Sequence, residues 1–360
     1  MVGDDVRSLH SGGEILETPH VVTYHRGSRV HPFHLEPPHG VTYAARVKTI
    51  ELGGSGLRTS ALAYGCWRLA DSLDEQQVTP EVEASGRRAV HAAFDAGYTL
   101  FDNADIYSNG ACERILGQAL REVPGMRERI VIATKGGIRR PGDPNPGSPH
   151  RFDFSPEYLE AACDASLKRL GVDVIDLYML HREDYLANPA EVAEVFSKLF
   201  HAGKVRTFGL SNFRPTLVRA IKKVCPVPIV SHQIEISLAR LAPFEDGTLD
   251  QCLEFGMTPM AWSPLAAGLI GDGAKKLLPG QRGYKLDAVL PVLDEIAAAR
   301  GVSRTAIALA WLMRHPSGIV PIVGTANPGR IREAAKAADI ALDREEWYRL
   351  FVAARGEPLP

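Results

Sequence analysis

Eight short apolar runs, each separated from the next by a stretch of helical periodicity, constrain this chain more than any other feature. The runs cover residues 61–67, 99–105, 130–135, 174–180, 207–212, 229–235, 258–264 and 319–325. They are short and rich in β-branched residues, as strands are, while the segments between them repeat apolar side chains at helical spacing. Ile130-Val131-Ile132-Ala133 and Ile319-Val320-Pro321-Ile322-Val323 are apolar on both faces, which suits parallel strands covered by helices. Pro321 argues against its run, because proline removes a ladder donor. Ser155-Pro156, Asn188-Pro189 and Ser303 read as helix starts, and Gly171 and Gly203 as stops. The pattern predicts an α/β fold, a single-domain (β/α)8 TIM barrel over residues 46–360, close to the usual size of about 250 residues with room for insertions. A doubly wound open sheet is the structural alternative.

Two insertions break the rhythm. Residues 136–154, rich in proline and glycine, follow the third run, and residues 266 to about 286 follow the seventh. Both lie at the ends of strands where barrel binding loops sit, so both are expected to face a substrate. Residues 1–45 differ from everything after them. They hold His10, His20, His25, His31, His34 and His39, are interrupted by proline and glycine, and match no usual metal-ligand spacing. A flexible leader is expected there.

Composition narrows the function. With 41 Lys+Arg against 43 Asp+Glu, the chain has no basic footprint for nucleic acid or anionic membrane. No apolar stretch is long enough to span a bilayer, and the start Met-Val-Gly-Asp-Asp carries no secretory signal pattern. Five scattered cysteines without a C-x-x-C pair suit a reducing, cytoplasmic compartment. Gly53-Gly54-Ser55-Gly56 is not a dinucleotide loop, since Thr59 stands where the third glycine belongs, and it reads as a hairpin turn. No G-x-S-x-G or H-E-x-x-H occurs, and His181-Arg182-Glu183-Asp184 lacks the order of a kinase loop.

What remains is a set of polar residues at successive strand ends. Asp102 and Tyr107 follow the second run, Lys135 closes the third and His181 follows the fourth. In a barrel these would converge on one mouth. A tyrosine ionises near 10 and needs help to work at neutral pH. A lysine held beside it lowers that pKa, an aspartate fixes the lysine, and a histidine can orient a substrate oxygen.

These residues stand in segments that resemble the aldo-keto reductase family over roughly residues 47–354, most closely its compact bacterial members. The likeness runs through Phe101-Asp102-Asn103-Ala104-Asp105-Ile106-Tyr107, Ala133-Thr134-Lys135, Asp176-Leu177-Tyr178-Met179-Leu180-His181, Gly209-Leu210-Ser211-Asn212-Phe213, Gln233 and Ala261-Trp262-Ser263-Pro264-Leu265. The resemblance implies a barrel that binds NADP(H) and reduces aldehydes or ketones, with a small carbonyl compound as its partner. Tyr107 would be the general acid/base, Lys135 and Asp102 its partners, and His181 the substrate-orienting residue. Ser211, Asn212 and Gln233 would bond the nicotinamide carboxamide, and Trp262 would stack on its ring. Ser263 and Leu265 would lie along the pyrophosphate. Gly65, Cys66 and Trp67 would supply backbone and a pocket wall. Gly324, Thr325, Asn327 and Arg330 would surround the adenosine 2′-phosphate. Asn103 and Ser108 depart from the family's usual Thr or Ser and Gly. Because the same fold also serves regulatory proteins that hold the cofactor with little turnover, a redox-sensing role is the alternative.

Overall fold

The computed structural model describes residues 47–360 apart from 71, 73, 273–283 and 285. The expected leader at 1–45 and the middle of the second insertion lie outside the described residues. The chain opens with a hairpin, β1 Thr49–Glu51 paired antiparallel with β2 Arg58–Ser60. Its turn holds Gly53, Gly54 and Gly56, all at positive φ, as the glycine run predicts. Leu52 on this hairpin is fully buried and packs against the barrel's interior side chains, so the hairpin plugs the barrel.

All eight apolar runs become strands: β3 Ala63–Gly65, β4 Leu100–Asp102, β5 Val131–Gly136, β8 Ile175–Leu180, β9 Val205–Ser211, β10 Ile229–Glu235, β11 Thr258–Trp262 and β12 Val320–Val323. They pair in parallel in that order, and β12 pairs back with β3 to close a barrel. The (β/α)8 expectation holds and the open sheet does not. Pro321 sits inside β12 opposite Ala261 and is tolerated in this four-residue strand. The first insertion is not a bare loop but carries a small hairpin, β6 Ile138–Arg139 with β7 Arg151–Phe152.

Helices α1 Pro80–Asp95, α2 Ala111–Glu122, α3 Pro156–Leu170, α4 Pro189–His201, α5 Pro215–Val224, α6 Thr248–Phe255, α7 Val289–Arg300, α8 Arg304–Met313, α9 Pro328–Ala335 and α10 Arg344–Arg355 complete the described structure. Asn188, Ser303 and Asn327 cap their helices through side-chain oxygens. Ser155 precedes α3 but its side chain accepts no capping bond; it is turned to Asp153, to which its hydroxyl donates at 2.6 Å. Among the described residues no single helix is long and apolar enough to cross a membrane.

Strand alternation positions the site. Leu100, Val131, Ala133, Leu177, Met179, Met260, Val320 and Ile322 fill the barrel interior, whereas Phe101, Ile132 and Tyr178 pack outward against the helices. Continuing the two-residue period turns Asp102, Lys135, His181 and Trp262 inward at the mouth. In β10 a register irregularity between Ile229 and Ser231 resets the phase, so Gln233 reaches inward while His232 accepts the Phe213 N–H at 3.2 Å.

Candidate active site

Lys135 is the centre of the mouth. Its ammonium is fully buried and has three donors, which three acceptors take up. The Asp102 carboxylate oxygens lie at 2.8 and 2.9 Å, the Asn103 carbonyl at 2.7 Å and the Tyr107 hydroxyl oxygen at 3.2 Å. Burial opposes the lysine charge, yet Asp102 and Tyr107 outweigh it and hold its pKa above the usual lysine value. Asp102 is held in turn by the Gln233 amide, whose Nε2 donates to it at 2.8 Å.

Tyr107 therefore accepts from Lys135, and its own proton is free to point elsewhere. The sequence leads one to expect a lowered tyrosine pKa, but burial pushes Tyr107 up to about 12 against the opposing pull of Lys135. At neutral pH it is a protonated phenol, in the state that a proton donor needs. Its ring lies 5.0 Å from that of Trp67 and 5.8 Å, edge-on, from that of His181. Burial first, then the charges of Lys135 and Arg182, hold His181 well below its usual pKa, so the imidazole is neutral.

A turn of unusual backbone presents Tyr107. Ser108 and Asn109 adopt φ of 48° and 55° and Gly110 follows at 87°. A non-glycine residue in this region costs about 1–2 kcal/mol. Side-chain bonds from Ser108 to the Ser72 carbonyl and from Asn109 to Glu75 hold the turn.

The remaining predicted residues cluster on the same face, but several bond to one another. Trp262 donates its indole N–H to the Asn212 side-chain oxygen at 2.8 Å, and the Asn212 Nδ2 donates to the Ser211 hydroxyl at 2.8 Å and the His181 carbonyl at 3.3 Å. Asn212 and Ser263 both have positive φ, and the Ser263 hydroxyl accepts the Ala267 N–H. Leu265 is half-buried. Gly65 ends β3, where a Cβ would press on Ile322; Cys66 is fully buried, whereas Trp67 is 51% exposed. Gly324 has open space beside it, and Thr325 accepts the Asn327 N–H. Arg330 is exposed in the first turn of α9, with no side-chain partner among the described residues. Asn327 caps its backbone N–H and Pro328 has none, so few backbone donors remain there for an anion.

Two groups escape a sequence reading. Arg169 reaches the fully buried Glu113 at 2.6 Å, and Glu113 also accepts from Thr134 on β5, which braces the outer side of the strand carrying Lys135. Arg182 stands over the Trp262 ring at 5.4 Å. Its only sequence signal is that it follows a strand-end histidine.

The model of the aldo/keto reductase family matches residues 61–352. The chain belongs to the aldo/keto reductase family. It is 44% identical over 316 residues to a 6-dehydroglucose reductase of Novosphingobium aromaticivorans, covering 86% of this chain and 96% of the relative. A 6-dehydroglucose reductase of Agrobacterium fabrum is 36% identical over 302 residues, covering 84% and 96%. A solved aldo/keto reductase from Klebsiella pneumoniae, in complex with NADP and acetate, superposes with a TM-score of 0.68 at 26% identity, covering 87% of this chain and 97% of that one. These oxidoreductase relatives agree with the chemistry the mouth offers.

The Lys135 arrangement generates a pH prediction. Were Tyr107 the base in alcohol oxidation it would act as its phenolate, and removing the cation raises the tyrosine pKa further. Lys135→Met should therefore displace the rising limb of the kcat/KM–pH profile for alcohol oxidation upward by about one unit or more. An unchanged limb would show that Lys135 does not set the tyrosine's proton affinity.

Proposed function

We propose that this chain is an NADPH-dependent reductase of aldehydes or ketones in which Tyr107 donates the proton to the carbonyl oxygen. The observation that carries the reading is the full commitment of the Lys135 ammonium, which makes Tyr107 an acceptor towards lysine and leaves its proton for a substrate. Relatives named as 6-dehydroglucose reductases support a small carbonyl compound as substrate. The cysteines Cys66, Cys112, Cys163, Cys225 and Cys252 are all free, which suits the reducing cytoplasm we propose for it.

The residues present fit a dinucleotide. Among the described residues the buried His181 Nδ1 at the mouth and the buried Asn103 Nδ2 have no partner, and buried polar atoms rarely stay so unless a ligand or water meets them. The Gln233 side-chain oxygen also has no partner among the described residues. With Asn212 and Ser211 it would hold a carboxamide, and the Trp262 ring, anchored by Asn212, would give the flat group a wall. When bound, NADPH supplies the hydride. Tyr107 supplies the proton, neutral His181 orients the carbonyl oxygen, and Trp67 walls the mouth.

Cofactor choice rests on Arg330, with Thr325, Asn327 and Gly324 around it. Its guanidinium can grip a 2′-phosphate through two hydrogen bonds that a bare ribose hydroxyl cannot match.

Two measurements test the proposal. Tyr107→Phe should lower turnover about 10²–10⁴-fold while NADPH binding stays close to that of the parent; turnover within about twofold would move the acid role elsewhere. Arg330→Ala should raise the Kd for NADPH about tenfold or more and leave NADH binding nearly unaltered. Equal weakening for both cofactors would show that Arg330 does not read the 2′-phosphate.

A further inference from the structure

We infer that Arg182 is a specificity-determining residue that binds a hydroxyl next to the reacting carbonyl, so that the site selects hydroxylated aldehydes over plain ones. The inference rests on the reductase reading above and adds the substrate class to it. Arg182 follows His181 directly at the end of β8. Its charge is felt at both His181 and Tyr107, and its guanidinium lies 5.4 Å from the Trp262 ring centroid. It is thus at the reacting end of the mouth, half-buried.

What sets Arg182 apart is that it is half-buried and yet lacks acceptors, whereas Arg330 is exposed to solvent. Arg169 has Glu113 at 2.6 Å, Arg206 has Asp176 at 2.7 Å and Arg214 has Glu183 at 2.8 Å. Among the described residues nothing accepts a hydrogen bond from the Arg182 guanidinium, and the neighbouring Glu183 is already taken by Arg214. A guanidinium remains charged even where burial lowers its pKa, and leaving its donors unmet in a partly dry site is costly. A bound substrate that brings an oxygen removes that cost.

The surroundings favour a hydroxyl over a carboxylate. Glu235, at the end of β10, is near enough to act on Arg182 electrostatically, yet its own oxygens receive the Tyr284 hydroxyl at 2.7 Å and Arg240 at 3.3 Å. A carboxylate substrate would meet that negative charge. A neutral hydroxyl can accept from Arg182 and donate towards Glu235. Beside Tyr107, the exposed Trp67 ring gives the substrate's C–H bonds an apolar surface.

The test uses the full chain with NADPH and three aldehydes: glyceraldehyde, propanal and the anionic succinic semialdehyde. The parent should prefer glyceraldehyde. Arg182→Met should lower the ratio of kcat/KM for glyceraldehyde to that for propanal about tenfold or more, chiefly through KM, and Arg182→Lys should recover part of it. A loss confined to succinic semialdehyde would overturn the assignment, because the residue would then read a carboxylate. An equal loss for all three aldehydes, or a tenfold rise in the NADPH Kd, would overturn it in favour of a cofactor or general positioning role. A parent that reduces propanal, with a ratio unmoved by Arg182→Met, defeats only this inference. A parent that reduces none of the three, nor any member of a wider panel of aldehydes and ketones, defeats the reductase reading as well.

Discussion

A cation buried at the mouth of a barrel organises this molecule's chemistry. Lys135 is out of reach of water, so its charge persists only because Asp102, the Asn103 carbonyl and Tyr107 surround it. Each acceptor comes from β4 or the turn after it, while the lysine comes from β5. Parallel pairing of these strands, Asp102 opposite Ala133, sets the spacing between them. The Gln233 amide from β10 reaches across to Asp102, so the far wall of the barrel also holds the pair. Truncating one member of a buried pair like this leaves an unmatched charge and typically costs about 3–5 kcal/mol. The site and the barrel are therefore not separable designs.

The electrostatic outcome differs from what residue types alone suggest. A lysine next to a tyrosine favours phenolate, but here dehydration of the phenol exceeds that attraction. Asp102 also takes up part of the lysine's charge. Tyr107 is consequently a protonated phenol at neutral pH, and His181 beside it is neutral and able to direct a substrate oxygen without adding charge.

Much of this was legible in the sequence because β-strands have a period of two. Val131, Ala133 and Lys135 share a face, as do Leu100 and Asp102, so a polar residue ending an inward-facing series must appear at the mouth. Punctuation by Asn188, Ser303 and Asn327 located helix starts for the same local reason. What escaped was non-local. Ser155 does not cap; its N–H and hydroxyl both donate to Asp153. Gln233 faces inward only because β10 slips in register, and its donor is engaged by Asp102, 131 residues away. The 136–154 insertion forms a hairpin through pairing of Ile138 with Phe152, which its proline and glycine content conceals. Arg182 acquires meaning only when Trp262, from β11, and Tyr107, from the turn after β4, are placed near it.

The central claim is that the Lys135-centred mouth delivers a proton to a carbonyl while the cofactor delivers a hydride. Its most direct test is to incubate the parent protein with glyceraldehyde and NADPH deuterated at the transferable position, then analyse the alcohol by mass spectrometry. The account predicts one deuterium on the carbinol carbon of nearly every product molecule. Tight NADPH binding without labelled alcohol, even after prolonged incubation with a panel of aldehydes and ketones, would contradict it and mark the protein as a cofactor-holding regulator.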